Sequence, residues 1–434
     1  MTDTAPQSLQ GGLPLWIEPR PGPAILAARM IIPGGSGADP PGARGAHQLL
    51  AGLMTRGCGD LDAEALADLI EGAGAGLRAD AQEDALMLGL KCAADDAATL
   101  LPLLLRMVRQ PSLAADQFEL EQQLNLQTLQ RQREDPFQVA HDGLRHLLYD
   151  DGPYGHDPLG VQEDLAGLAP GQLQPLVADL GRRGAVLVLC GDAPAGVVEL
   201  LEGELAALPW ATGLPQGEPA VAAAVSAPRL SRQTQDTEQL VLMLGAATVP
   251  LGHPDSLALR LLQDHLGVGM SSRLFVAMRE ERGLAYDVGV HMPTRCGPAP
   301  WVMHLSTSAD RAEEATTCLL EEWQRLLETP LTEEERSLAL AKVCGQEAMG
   351  RQTCGQIADR LALLLSYGLP LNHVEHNLER AARLSGEDLL GAAQRWLRRP
   401  CLSLVGPEGA VAAAERAWQR HPLSGEPAGQ DLPG

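Results

Sequence analysis

Few residues in this sequence combine a type and a spacing that could do chemistry. His373-Val374-Glu375-His376 sets two imidazoles three positions apart, a separation that places both on one helix face and could hold a metal. His141 and His146 are five apart, poorly placed to share an ion on a helix. Gly267 and Gly269 suit a tight connection; a phosphate loop would need a Lys-Ser/Thr pair after them, and none follows. The eight cysteines (58, 92, 190, 296, 318, 344, 354 and 401) are scattered with no C-x-x-C pair, and they read as free thiols in a reducing compartment. Taken alone, Arg279 reads as a surface helix residue pairing with nearby carboxylates. Tyr286 reads as a strand residue of a half-buried sheet, and His47 as a capped or partly buried structural histidine.

The elements that must position these residues follow from length and pattern. At 434 residues the chain exceeds one ordinary core, so two or more domains are expected. A hydrophobic fraction of 45% sets disorder aside, while 3% aromatics means a core built from Leu, Ala and Val. The net charge of −23 argues against a nucleic-acid surface and against anionic lipid. It reads as a solvated acidic face that could modestly favour basic peptides. The N-terminal MTDTAPQSLQGG lacks the basic and apolar regions of a secretory signal, and no run reaches the length of a membrane span. A cytoplasmic location is the expectation.

A weak internal duplication organises the chain. Leu88–Asp95 (LGLKCAAD) resembles Met303–Asp310 (MHLSTSAD) at an offset of 303 − 88 = 215. Each strand-like segment runs into a Leu-rich amphipathic stretch, Ala97–Arg109 or Ala312–Leu327. A Pro-Leu boundary and an acidic helix start follow in each half, Ala114-Ala115-Asp116 and Thr332-Glu333-Glu334. Long polar helices come next. Each half closes on a short apolar strand, Ala185–Asp192 or Cys401–Pro407. Leu208–Pro228, rich in Pro, Gly and Ala, reads as a linker. Two lobes are expected, 1–215 and 216–434. Each is α+β, a mainly antiparallel sheet packed with helices.

Longer motifs sit on this frame. The strand-like Ile25–Ile32 precedes Gly34-Gly35-Ser36-Gly37-Ala38-Asp39-Pro40, then Gly45-Ala46-His47, and a helix ending at Thr55-Arg56-Gly57. Asp135-Pro136 and Tyr154-Gly155-His156-Asp157-Pro158-Leu159-Gly160 follow. The second half carries Ser271-Ser272-Arg273-Leu274-Phe275, then Arg279-Glu280-Glu281-Arg282-Gly283-Leu284-Ala285-Tyr286. Together these resemble the M16 zinc metallopeptidases, the pitrilysin, insulinase and processing-peptidase family, along both halves of the chain. The resemblance implies a LuxS/M16 metallopeptidase-like fold with two homologous lobes. It also implies that Tyr367–Leu378, which holds His373 and His376, is a helix with no catalytic role.

In that family His-x-x-Glu-His on a helix supplies two zinc ligands and a general base, and a Glu some 77 positions downstream supplies the third ligand. Here the five positions read His47-Gln48-Leu49-Leu50-Ala51, and 51 + 77 = 128 falls on Thr128. The first ligand position is kept; the base has become Leu50, and the other ligands Ala51 and Thr128. No metal site is expected in this chain. The family's Arg and Tyr, by contrast, are matched by Arg279 and Tyr286. The resemblance implies that Arg279 holds a substrate carbonyl and that Tyr286 donates to the oxyanion.

Within the family, bacterial enzymes often pair a chain bearing His-x-x-Glu-His with one that lacks it and supplies the Arg/Tyr pair. The resemblance therefore implies a substrate-binding, non-zinc-binding subunit of a heterodimeric zinc metalloendopeptidase. Its partner would be a catalytic M16 subunit holding the zinc, and its substrate a peptide that adds as a strand to a sheet edge. A homodimer would contain no complete zinc site. The alternative is a proteolytically inactive structural, assembly or peptide-binding accessory protein of the same fold.

Overall fold

The computed structural model describes residues 5–215 and 229–425. Residues 216–228 of the expected linker therefore lie outside the described residues, as do residues 1–4. The first half forms strands β1 (Gln7–Ser8), β2 (Pro14–Pro19) and β3 (Ile25–Pro33), then helices α1 (Ala46–Met54) and α2 (Ala63–Gly72). Strands β4 (Gly76–Ala81) and β5 (Ala85–Ala93) follow, with helices α3 (Ala97–Arg109), α4 (Ala115–Glu134) and α5 (Pro136–Tyr149). Helices α6 (Gln162–Gly167) and α7 (Leu173–Asp179), strand β6 (Val186–Gly191) and helix α8 (Val197–Ala207) complete it.

The second half opens with β7 (Leu230–Thr234), β8 (Gln239–Ala247) and α9 (Ser256–Gly267). A π-helix (Phe275–Glu280), β9 (Asp287–His291) and β10 (Pro300–Ser308) come next. The chain ends in α10 (Ala312–Glu328), α11 (Glu333–Met349), α12 (Cys354–Ser366), α13 (His373–Ala381), α14 (Gly386–Trp396), β11 (Cys401–Gly406) and α15 (Glu408–Arg420).

Local chemistry sets many of these boundaries. Asp135 accepts the Phe137 amide at 2.9 Å and Pro136 opens α5, where its missing N–H is no loss. Thr353 and Gln356 form a reciprocal capping box on α12, as Ser385 and Asp388 do on α14. The expected acidic start of α11 is also a box. The Glu335 carboxylate accepts from the Thr332 amide at 2.8 Å, and the Thr332 hydroxyl accepts from the Glu335 amide at 3.3 Å.

The fold is α+β, and the described residues form two compact units. The first gathers Met1–Leu129, Asp157–Ala220 and Glu347–Val374 around a six-stranded sheet of order β1-β2-β6-β3-β5-β4. Only the β2–β6 pair is parallel. One face of this sheet carries Leu26, Ala28, Met30, Leu88 and Leu187, packed with α1 and α3 side chains such as Leu50, Met54, Leu100 and Leu104. The other face carries Ala27, Ile31, Val186, Val188 and Cys190 against Ala358, Leu361 and Leu365 of α12. Both faces are covered, which explains why β3 and β6 read as nearly unbroken apolar runs instead of alternating.

The second unit gathers Gln130–His156, Val221–Gln346 and Glu375–Gly434 around a five-stranded sheet, β7-β11-β8-β10-β9, in which only β7–β11 is parallel. Leu242, Leu244, Trp301, Met303 and Leu404 face a core with α9 and α10. Val241, Met243, Val302 and Val405 face Ala140, Leu144 and Leu148 of α5. In each unit, then, the second face of the sheet is closed by a helix from the other half of the sequence. The halves of the duplication meet near residue 215, while the compact units exchange α5 and α12 across it.

Candidate functional site

Arg279 and Tyr286 are brought together by a short device in the second unit. Leu274 and Met278 are buried and pin the inner side of the π-helix, and the Glu281 amide reaches back five residues to the Val276 carbonyl at 3.0 Å. Gly283 takes φ +59°, a left-handed conformation that suits glycine, and the Leu284 amide then bonds the Met278 carbonyl at 2.7 Å. Leu284 and Ala285 are buried, so the next residue, Tyr286, is turned outward at the start of the edge strand β9. A wide π turn of this kind is rare, and such turns recur at functional sites.

The resulting geometry is specific. Arg279 donates from Nη1 to the Tyr286 carbonyl at 3.2 Å. Its guanidinium carbon stands 5.0 Å from the Tyr286 ring centroid and 4.9 Å from that of Phe275. Each such cation–π contact at an exposed site contributes about 0.5–1 kcal/mol. The chain has only three Phe and four Tyr, and two of these seven flank one arginine. Tyr286 is 81% exposed, an unusual setting for a tyrosine in a chain so short of aromatics. Arg273 anchors the start of this segment through a half-buried ion pair with Glu322 on α10 at 2.7 Å. The sequence motif contains Phe275 and Arg273 without revealing either role; the only available signal was the four-residue spacing of Phe275 and Arg279.

The first unit treats the zinc-motif positions differently. His47, 6% exposed, opens α1 with Nδ1 2.6 Å from Asp39 Oδ1. Asp39 also accepts the Gly45 amide at 2.6 Å and the His47 amide at 3.0 Å, so one carboxylate caps the helix and orients the imidazole. Gln48 accepts the Ala81 amide of the edge strand β4 at 2.9 Å. Leu50 and Ala51 are 0% exposed and belong to the core beneath the sheet. Thr128 turns its hydroxyl back to the Leu124 carbonyl at 2.8 Å. Glu121 on α4, whose role no motif in the sequence announces, pairs with Arg56 at 2.6 Å and lies against Gly52, where a Cβ would stand 2.6 Å from Oε2. A single imidazole, two apolar side chains and a hydroxyl do not make a zinc ligand set. Among the described residues no group of three or more His, Cys, Asp or Glu is arranged to hold a metal. His373 and His376 lie on α13 and belong to no such group. His141 and His146 both lie on α5, where burial, with Arg145 adding to it, pushes the His141 imidazole down to about 3.

Known proteins match this arrangement. Residues 18–160 match the family described as Insulinase (Peptidase family M16), and residues 182–343 match the family's Peptidase M16 inactive domain. The chain belongs to the M16 peptidase family. An uncharacterized zinc protease of Mycobacterium tuberculosis is 25% identical over 414 residues, 93% of each chain. The uncharacterized zinc protease YmxG of Bacillus subtilis is 23% identical over 409 residues, 92% of this chain and 97% of that one. Among solved structures, a peptidase M16 inactive domain from Pseudomonas fluorescens superposes with a TM-score of 0.84 at 24% identity, covering 93% of this chain and 97% of that one. A protease from Helicobacter pylori superposes at 0.82 with 18% identity, covering 93% and 99%. These likenesses establish the M16 two-lobe fold for this chain. Among the described residues, no helix is long and apolar enough to cross a membrane.

Proposed function

We propose that this M16 chain is the substrate-binding, non-zinc-binding subunit of a heterodimeric zinc metalloendopeptidase that acts on peptides. One observation carries the reading. Arg279 and Tyr286 are paired and turned to the surface, whereas Leu50 and Ala51 are sealed in a core. A purely structural protein has no use for an exposed, pre-oriented donor pair. The partner's zinc would supply Lewis acidity and the activated water. This chain's part is electrostatic. Arg279 Nη1 exchanges the Tyr286 carbonyl for a carbonyl of the bound peptide, and the Tyr286 hydroxyl donates to the oxygen on which negative charge develops. The chain's net charge of −23 modestly favours peptides carrying Lys or Arg. A cytoplasmic location belongs to the same reading, supported by eight free cysteines.

The test is to purify the chain alone and with an M16 partner of similar length bearing an intact His-x-x-Glu-His. The chain alone should take up no stoichiometric zinc and cleave nothing; the pair should cleave peptides. In the pair, Arg279→Ala or Tyr286→Phe should lower kcat by about 100-fold. A pair that cuts equally well with both residues changed would remove the role in trans and leave the structural or accessory reading.

A further inference from the structure

Cys190 and Cys354 are 164 positions apart in the sequence and meet at one small cluster of the first unit. Cys190 lies near the end of β6, fully buried, on the sheet face that α12 covers. Cys354 is the first residue of α12, partly exposed, and packs against the same small cluster in which Cys190 is buried. The Cys354 sulfur lies close to the strand backbone next to Cys190: a Cβ on Gly191 would stand 3.3 Å from Cys354 Sγ. The pair thus sets a partly exposed cysteine beside a fully buried one.

We propose that Cys190 and Cys354 are an oxidisable dithiol, in which Cys354 meets a hydroperoxide and Cys190 resolves the product into a disulfide. In the first step the Cys354 sulfur attacks the O–O bond. Sulfur loses two electrons, the distal oxygen stays on it as a sulfenic acid, and the other oxygen leaves as an alcohol or water carrying the thiol proton. In the second step the Cys190 sulfur attacks Cys354 Sγ. The S–O bond breaks, and hydroxide leaves with the Cys190 proton as water. Two thiols and one hydroperoxide thus give one disulfide, one water and one alcohol, or two waters from hydrogen peroxide. Burial, with the neighbouring thiol adding to it, pushes Cys190 up to about 12, so the partly exposed Cys354 and not Cys190 is the thiol that meets the peroxide. The bond would join β6, from one half of the sequence, to α12, from the other.

The test uses the full-length chain and hydrogen peroxide, followed by alkylation and non-reducing peptide mapping. The expected product is a Cys190–Cys354 linked peptide pair, a chain lighter by two hydrogens, and a thermal midpoint several degrees higher that dithiothreitol reverses. C190S should leave a sulfenic acid on Cys354, trapped by dimedone, with no thermal shift. C354S should abolish both signals, and C354A serves if the serine variant folds poorly. Both cysteines remaining alkylatable after peroxide treatment, or oxidation confined to the exposed Cys344, would overturn the proposal.

Discussion

The two units run the same strand order, β2-β6-β3-β5-β4 in one and β7-β11-β8-β10-β9 in the other, with β1 added at the edge of the first. They differ in what fills the connection before the outer edge strand. Between β3 and β4 the first unit places two regular helices, α1 and α2. Between β8 and β9 the second places α9 and then only a single π-helix. Both α1 and α9 are largely buried, because the sheet needs an apolar helix laid across it. In the first unit that requirement is met at the motif positions themselves, with Leu50 and Ala51. In the second, the helix that follows is shortened to one wide turn, and Arg279 and Tyr286 leave the core. A shared frame thus says nothing about where chemistry resides.

The comparison can be broken most severely at Leu50. Leu50→Glu puts a carboxylate into a dry core and should cost about 3 kcal/mol or more, read as a lowered denaturant midpoint. Combining it with Ala51→His and Thr128→Glu should instead give stoichiometric zinc uptake and return part of that stability. Failure of the triple variant to bind zinc would show that these positions are not the family's ligand positions.

A second experiment concerns α5, which closes the second unit's sheet. The His141 imidazole is held at about 3, below its ordinary 6.5, chiefly by burial. Between those values the unfolded chain binds a proton that the folded chain does not, so stability present above pH 6.5 is lost as pH falls. His265, depressed to about 4 by burial, adds in the same direction. His141→Gln should remove about 2–3 kcal/mol of the stability lost between pH 6.5 and about 4.5, measured by urea titration across pH.

Two smaller effects sharpen the contrast between the connections. Asp39→Ala, which uncaps α1 and releases His47, should cost about 1–2 kcal/mol in thermal or denaturant unfolding. Phe275→Leu removes one of the two rings beside Arg279. It should reduce kcat of the active pair by about 3–5-fold with KM little changed, the value of one exposed cation–π contact. Phe275→Tyr should restore it. A change confined to KM would place Phe275 in substrate contact instead.

Much of the frame was legible because local patterns determine it. Ala97–Arg109 read from its apolar spacing is α3, and Leu88 and Met303, matched in the duplication, each fall fourth in their strands, β5 and β10. The motif around Arg279 announces itself by length and order. What the sequence leaves open is which face a helix will cover. α5 and α12 are amphipathic wherever they pack, and no local signal tells them to close the sheet of the opposite half. Asp39 was visible as part of a turn, but its three hydrogen bonds to Gly45 and His47 depend on how that turn folds back over α1. Phe275 stacks on Arg279 only once the π turn and Gly283 have set the angle. Cys190 and Cys354 meet only through tertiary packing.

The exchanged helices also have a consequence in time. During synthesis the first sheet is complete once β6 has emerged, yet Ala27, Ile31, Val186 and Val188 remain uncovered until α12, about 170 residues later, has followed. At ordinary elongation speeds that interval is on the order of ten seconds. An apolar sheet face thus waits that long for the helix that covers it.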